Sequence, residues 1–106
     1  MKLSDYVVEF LRRREVQDVF LLSGGGIMHL LDSLAKEDRI HKYYNLHEQA
    51  SGFAADGYAQ YANKLGVVFA TTGPGATNVV TSLASAHIDS TPLLVISGQG
   101  RRDTIT

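Results

Sequence analysis

The chain has 106 residues, of which 44% are apolar, and this is enough for one domain with a real but modest core. Its ten basic and eleven acidic residues give a net charge of −1, which argues against nucleic acid or an anionic membrane as a partner. Because the sequence has no cysteine, it can form neither disulfides nor thiolate metal sites, and it has no Cys nucleophile.

An amphipathic helix is predicted at the start of the chain, with Ser4 as the expected N-cap. Its apolar residues recur at three- and four-residue spacing: Leu3, Tyr6, Val7, Phe10 and Leu11. The basic run at residues 12–14 falls at the end of this helix, where cations complement the macrodipole. The apolar run Val19–Leu22 then predicts a buried strand, which closes in the glycine turn Ser23–Gly26.

Further along the chain, helical and strand patterns continue to alternate. A second helical period is set by Ile27, Leu30, Leu31 and Leu34. A weaker strand at Tyr43–Leu46 leads into a long helix at His47–Ala62. The strand Val67–Thr71 ends at the turn Gly73–Gly75, a further helix follows, and the last strand is Leu93–Ser97.

Four apolar strands separated by helices predict an α/β fold. Such crossovers are right-handed and place the strands parallel, so we expect a three-layer αβα arrangement with a parallel sheet covered on both faces. Since a parallel sheet normally continues beyond this point, we expect residues 1–106 to form an incomplete domain. The sequence shows neither a signal peptide nor an apolar run of membrane-spanning length, so we expect a cytoplasmic protein without membrane contact.

The loops after the strands contain the residues that could bind a ligand. In a parallel sheet the strand carboxyl ends share one edge, so Ser23–Gly26, Gly73–Gly75, Gly98–Gly100 and the segment around Glu48 should lie together. The loops match neither the dinucleotide spacing G-x-G-x-x-G nor the phosphate loop G-x-x-x-x-G-K-[ST]. Ser51 stands where a zinc H-E-x-x-H motif requires its second histidine. The pattern therefore favours an organic-cofactor site.

The helix after Glu48 carries a stripe of small residues at helical spacing: Gly52, Ala55, Ala59 and Ala62. Such a stripe lets another element approach closely. Gly52 and Gly57 each cost about 1 kcal/mol of helix stability relative to Ala, so a packing or functional constraint should retain them. Close packing within one subunit and a subunit interface explain the stripe equally well.

Three segments resemble the N-terminal pyrimidine-binding domain of thiamine diphosphate-dependent enzymes: Asn45–Ala59, Ala70–Val79 and Asp89–Gln99. They fall in the family's order and spacing, and the acetolactate synthase-like branch matches best. The resemblance implies the thiamine diphosphate-binding fold, with residues 1–106 as part of the pyrimidine domain. The family's separate diphosphate-binding domain, whose G-D-G…N motif holds Mg²⁺ and the diphosphate, is absent from this sequence.

The resemblance also assigns roles to individual residues. Glu48 matches the catalytic glutamate that hydrogen-bonds N1′ of the cofactor's aminopyrimidine. The residues that match cofactor-binding positions are Ser23, Gly24, Gly25, Pro74 and Asn78. Gln99 matches a glutamine near the reacting atoms, and His47, beside Glu48, is a candidate for contact with substrate. The resemblance implies no metal ligand in this chain.

In function, the resemblance implies part of a transferase or lyase that decarboxylates a 2-keto acid and transfers the resulting acyl carbanion equivalent. It implies a homo-oligomer, a dimer or tetramer, in which the diphosphate domain of a partner subunit completes the site, and an isolated chain without turnover. The synthases usually carry Tyr-Pro before the glycines, whereas this chain has Leu22-Ser23. This departure bears on acetolactate synthase activity and not on cofactor binding.

Two alternatives to a piece of a longer synthase-like enzyme stay open. One is the pyrimidine-domain subunit of a split 2-keto acid decarboxylase, and the other is a non-catalytic oligomerisation module of the same fold. We favour the longer enzyme, because even split subunits usually contain the whole pyrimidine domain. These residues decide neither the keto acid, nor the acceptor, nor a requirement for FAD.

Overall fold

The structure is a computed structural model that describes residues 1–105, and it forms a four-stranded parallel sheet with helices on both faces. The helices are α1 (Leu3–Arg13), α2 (Met28–Ala35), α3 (Glu48–Ala62), α4 (Pro74–Thr77) and α5 (Val80–Ile88). The strands are β1 (Asp18–Leu21), β2 (His41–Tyr44), β3 (Gly66–Ala70) and β4 (Leu93–Ser97), with short 3₁₀ turns at Gly25–Ile27 and Arg102–Thr104. Within the described residues, no helix is both long and apolar enough to cross a bilayer.

The order of the strands creates a topological switch point at one edge of the sheet. Neighbouring strands are all parallel, and their order is β2-β1-β3-β4. From β1 the chain crosses through α2 to β2, whereas from β3 it crosses through α5 to β4 in the opposite direction. The carboxyl ends of β1 and β3, paired at Leu21 and Phe69, therefore flank a topological switch point, where open α/β sheets bind ligands.

Helices cover the sheet in two layers, which confirms the predicted three-layer αβα fold. The larger apolar cluster lies between the sheet and the pair α1 and α2, and a smaller one lies beneath α3 and α5. Alternate residues of β3 join each cluster: Val67 and Phe69 face the first, whereas Val68 and Ala70 face the second. Because β3 is buried on both faces, its sequence is an unbroken apolar run, and each fully buried large side chain contributes about 1.5–3 kcal/mol.

The apolar stripe of α1 lies only partly in the core. Three of its predicted members are exposed: Leu3 by 78%, Tyr6 by 58% and Phe10 by 42%. The buried residues of α1 are Ser4, Val8 and Leu11. The helix is therefore turned by about one position from the orientation that its apolar residues suggest.

A polar contact with α2 accounts for this orientation. Ser4, the expected N-cap, lies inside α1, and the cap position is held by Lys2 without a side-chain hydrogen bond. The hydroxyl of Ser33 lies 3.0 Å from Oγ of Ser4 and donates to Oδ1 of Asp5 at 2.6 Å. Because this bridge draws Ser4 toward α2, the prediction of Ser4 as a cap is wrong.

The strand β2 ends at Tyr44, two residues earlier than predicted. The side chain of Asn45 accepts a hydrogen bond from the Ser51 hydroxyl at 2.8 Å, and Leu46 is 99% exposed. The chain therefore turns out of the sheet at Asn45 and enters α3 with His47 as the N-cap rather than as the first helical residue.

At Gly52 the small-residue stripe of α3 serves packing within the chain. A Cβ added at Gly52 would lie 1.9 Å from Oγ of Ser82 and 2.6 Å from its Cβ, so α5 occupies the space that a side chain would need. Ala55 lies in the smaller apolar cluster together with Val68. For this part of the stripe, the structure supports packing inside one subunit.

Candidate functional site

Glu48 is the first residue of α3 and lies at the carboxyl edge of the sheet. Ahead of it, His47 is in an extended conformation (φ −151°, ψ 142°), and its Nδ1 accepts a hydrogen bond from the Gln49 amide at 3.0 Å. This cap fixes the direction of the first helical turn and leaves Glu48 only 8% exposed. The amino-terminal position also suits a carboxylate, because the helix macrodipole favours negative charge there.

The turn after β3 supplies a hydrogen-bond partner for Glu48. Nδ2 of Asn78 donates to Oε1 of Glu48 at 3.1 Å. The turn is set by its sequence. Gly73 has φ +58° and ψ −121°, a conformation that favours glycine, and Pro74 begins α4, where its ring suits the first helical position. The short helix then brings Asn78 back toward Glu48.

The second carboxylate oxygen of Glu48 has no hydrogen-bond partner among residues 1–105. The side-chain hydrogen bond of Glu48 is made by Oε1. Within residues 1–105, no fully buried side-chain nitrogen or oxygen lacks a partner, so the unpaired Oε2 must keep some contact with solvent. A Cβ added at Gly75 would lie 3.4 Å from Oε2, which shows how closely the backbone of this turn approaches the carboxylate. The result is a mostly buried carboxyl group with one oxygen anchored and the other open.

The glycine loop after β1 packs against the residues that follow β3. The Gly26 amide donates to Oγ1 of Thr71 at 3.0 Å. A Cβ at Gly24 would lie 2.4 Å from Cβ of Thr71, and one at Gly26 would lie 2.5 Å from Cγ2 of Thr72. Only glycine fits at these two positions, so the loop backbone lies directly against the neighbouring strand end.

The structure brings together some of the predicted site residues and not others. Glu48 and Asn78 are in contact, and Gly24 packs against Thr71, which also lies against Gly75 beside Glu48. Ser23, Gly25 and Pro74 lie exposed in the same two loops. Gln99 is exposed, and its Oε1 accepts from the Gly100 amide at 2.8 Å rather than from the Glu48 cluster.

Sequence reasoning missed the part that Thr71 plays in joining the loops. The segment Ala70–Val79 predicts a cofactor loop from its glycines and proline, and this pattern gives Thr71 no role. The signal that could have found it is a hydroxyl side chain directly after a buried strand, opposite a glycine loop on the adjacent parallel strand. At that place a backbone amide needs an acceptor and the glycines leave room for a branched side chain.

A cleft of about 810 Å³ opens at the opposite, amino edge of the sheet. Its three arginines are already engaged: Arg12 bonds Glu9 at 2.6 Å, Arg39 bonds Glu37 at 2.9 Å, and the Arg14 guanidinium lies over the Phe10 ring. Arg12 and Arg14 also lie at the carboxyl end of α1, where they complement the macrodipole. The carboxyl edge, where Glu48 lies, therefore stays the candidate site, although the larger volume lies at the amino edge. Within residues 1–105, no three acidic or histidine side chains gather to hold a metal ion.

Comparison with known proteins agrees with the geometry. Residues 1–106 match the family model described as thiamine pyrophosphate enzyme, N-terminal TPP binding domain. The chain is 47% identical over 104 residues to a protein named probable acetolactate synthase 2, chloroplastic, from Oryza sativa subsp. japonica, which covers 98% of the chain and 16% of that protein.

Two further relatives carry similar names. The chain is 44% identical over 104 residues to acetolactate synthase, chloroplastic, of Arabidopsis thaliana, covering 98% of the chain and 16% of that protein. It is 43% identical over 102 residues to acetolactate synthase of Arthrospira platensis, covering 93% of the chain and 18% of that protein. The chain thus spans about a sixth of the length of the curated relatives it matches. It belongs to the family of N-terminal, thiamine pyrophosphate-binding domains of thiamine pyrophosphate enzymes, and its relatives lie in the acetolactate synthase-like branch.

Proposed function

We propose that this chain holds the aminopyrimidine of thiamine diphosphate in an enzyme that decarboxylates a 2-keto acid and transfers the resulting acyl group. The observation that supports this most is the state of Glu48, whose carboxyl group is mostly buried, with Oε1 bonded to Asn78 and Oε2 open. Membership of the thiamine pyrophosphate enzyme family supports the cofactor, and the names of the relatives support the reaction class.

The residues present fit the pyrimidine half of the cofactor. A ring nitrogen such as N1′ needs one hydrogen-bonding group, and the open Oε2 of Glu48 is such a group. A flat ring also needs backbone without side chains near it, and Gly25 offers such backbone, because a Cβ added there would meet nothing within 4 Å. Ser23, Gly25 and Pro74, exposed in the same loops, are proposed to complete the cofactor contacts.

When bound, thiamine diphosphate supplies a nucleophilic carbon and takes up the electron pair left when CO₂ departs. Glu48 is proposed to hold the proton shared with N1′, and Asn78 keeps the carboxyl group turned toward the ring. Gln99 and His47 are proposed to lie near the substrate. His47 must keep its Nδ1 as the helix cap, so its Nε2 is the atom left for that contact.

The rest of the site is proposed to lie outside these residues. A diphosphate-binding domain of a partner subunit would bind Mg²⁺ and the diphosphate, which makes the working enzyme a homo-oligomer. The pyrimidine-domain subunit of a split decarboxylase would use Glu48 in the same way. A cytoplasmic location stays a prediction, and several plant relatives are named as chloroplastic proteins.

The test is C2 proton exchange of thiamine diphosphate, followed by NMR in deuterated buffer with Mg²⁺ and the protein as the cell produces it. Glu48→Gln should slow exchange by at least about 100-fold, the usual loss for a positioned acid–base group, without changing the fold. Glu15→Gln, at an exposed glutamate, is the matched control and should exchange normally. Normal exchange in Glu48→Gln would contradict the proposal, and failure of the wild type to bind the cofactor would favour the oligomerisation module.

A further inference from the structure

The side chain of Thr71 touches both glycine loops of the candidate site. Thr71 directly follows β3 at the switch point, where its Oγ1 accepts a hydrogen bond from the Gly26 amide at 3.0 Å. Its Cβ lies 2.4 Å from where a Cβ of Gly24 would be, and its Cγ2 lies 2.6 Å from where a Cβ of Gly75 would be. One side chain therefore spaces the loop after β1 from the turn that contacts Glu48.

The two branches of Thr71 have different tasks. The hydroxyl satisfies a loop amide, which would otherwise depend on solvent, and so holds the Ser23–Gly26 loop in one position. The methyl group fills the space beside Gly75, whose backbone approaches Oε2 of Glu48. Valine keeps the shape of threonine but not the acceptor, whereas serine keeps the acceptor but not the methyl group.

We propose that Thr71 is a positioning residue for the aminopyrimidine, an inference that rests on the proposed function. It acts through the Gly26 amide, which fixes the distance between the first cofactor loop and the Glu48 turn. Since the hydroxyl is already used by Gly26, Thr71 need not touch the cofactor. The loop is then preorganised, and binding does not have to order it.

The experiment compares Thr71→Val with Thr71→Ser in the protein as the cell produces it. Amide hydrogen exchange at Gly26 is measured without cofactor, and the Kd for thiamine diphosphate with Mg²⁺ is measured by calorimetry. Thr71→Val should speed exchange at Gly26 and raise Kd, each by about tenfold, the effect of one unpaired amide. Thr71→Ser should keep both the exchange rate and Kd within about threefold of the wild type. Thr81→Val, at an exposed threonine of α5, is the matched control.

The outcomes separate this inference from the proposed function. If the wild type binds thiamine diphosphate and Thr71→Val binds it as tightly, Thr71 does not position the cofactor loop, and this inference alone is overturned. If Thr71→Ser binds thiamine diphosphate as weakly as Thr71→Val does, the hydroxyl alone does not account for the positioning, which also overturns it. If the wild type binds no thiamine diphosphate, the proposed function fails and takes this inference with it.

Discussion

Two glycines of α3 should respond in opposite ways to the same substitution. Gly52 and Gly57 lie in one helix, but a Cβ at Gly52 would lie 1.9 Å from Oγ of Ser82, whereas one at Gly57 meets nothing within 4 Å. Alanine gains about 1 kcal/mol over glycine in a helix interior. Overpacking a core contact costs about 1–3 kcal/mol, and a 1.9 Å approach lies at the upper end of that range.

We therefore expect Gly52→Ala to lower the free energy of unfolding by about 2 kcal/mol and Gly57→Ala to raise it by up to about 1 kcal/mol. Urea denaturation followed by circular dichroism measures both. Gly52→Ala combined with Ser82→Gly removes the clashing atoms and should recover most of the loss. Equal effects at the two glycines would refute the claim that α3 and α5 are packed this closely.

Three other predictions concern the amino edge and the site. Burial and a hydrogen bond to Asp18 raise the pKa of Tyr58 from 10.0 to about 12, so its stabilisation is complete below pH 10 and is lost as pH rises toward 12. Tyr58→Phe should flatten this alkaline decline in unfolding free energy and cost about 1 kcal/mol at neutral pH. Asn78→Ala should raise the Kd for thiamine diphosphate about tenfold, because Glu48 loses its anchoring donor. Gly73→Ala should lower the unfolding free energy by about 1–3 kcal/mol, because alanine is strained at φ +58°, ψ −121°.

Each of these has a result that would count against it. An alkaline decline that persists in Tyr58→Phe would assign that decline to other groups. Unchanged cofactor affinity in Asn78→Ala would show that the Glu48 carboxyl group needs no anchor. An unchanged unfolding free energy in Gly73→Ala would show that the turn accepts a side chain at φ +58°, ψ −121°.

The spacing of apolar residues and the positions of glycine turns are sufficient to predict the αβα fold, because the strands are short apolar runs bounded by turns. The same reasoning failed for the orientation of α1, where Ser4 is buried and Tyr6 is exposed. A hydrophobicity pattern ranks serine below tyrosine as a core residue. It therefore cannot reveal that a hydrogen bond between the Ser33 and Ser4 hydroxyls draws Ser4 inward. Tertiary pairing of polar groups decided that helix face.

The candidate site was predicted from the motifs in part. Glu48 and Asn78 were both expected in the cofactor pocket, yet their contact depends on how α4 folds back, which the spacing alone does not give. Thr71 was missed because its role is to separate two backbones, and that role becomes visible only when the loops are placed together.

The central claim is that Glu48 meets N1′ of the aminopyrimidine, and one measurement tests it directly. Thiamine diphosphate labelled with ¹⁵N at N1′ is bound to the protein as the cell produces it, and its nitrogen chemical shift is compared between the wild type and Glu48→Gln. We predict that the wild type shifts N1′ away from its value in free cofactor and that Glu48→Gln, which still binds, loses most of that shift. An N1′ signal that is the same in both proteins would contradict the claim.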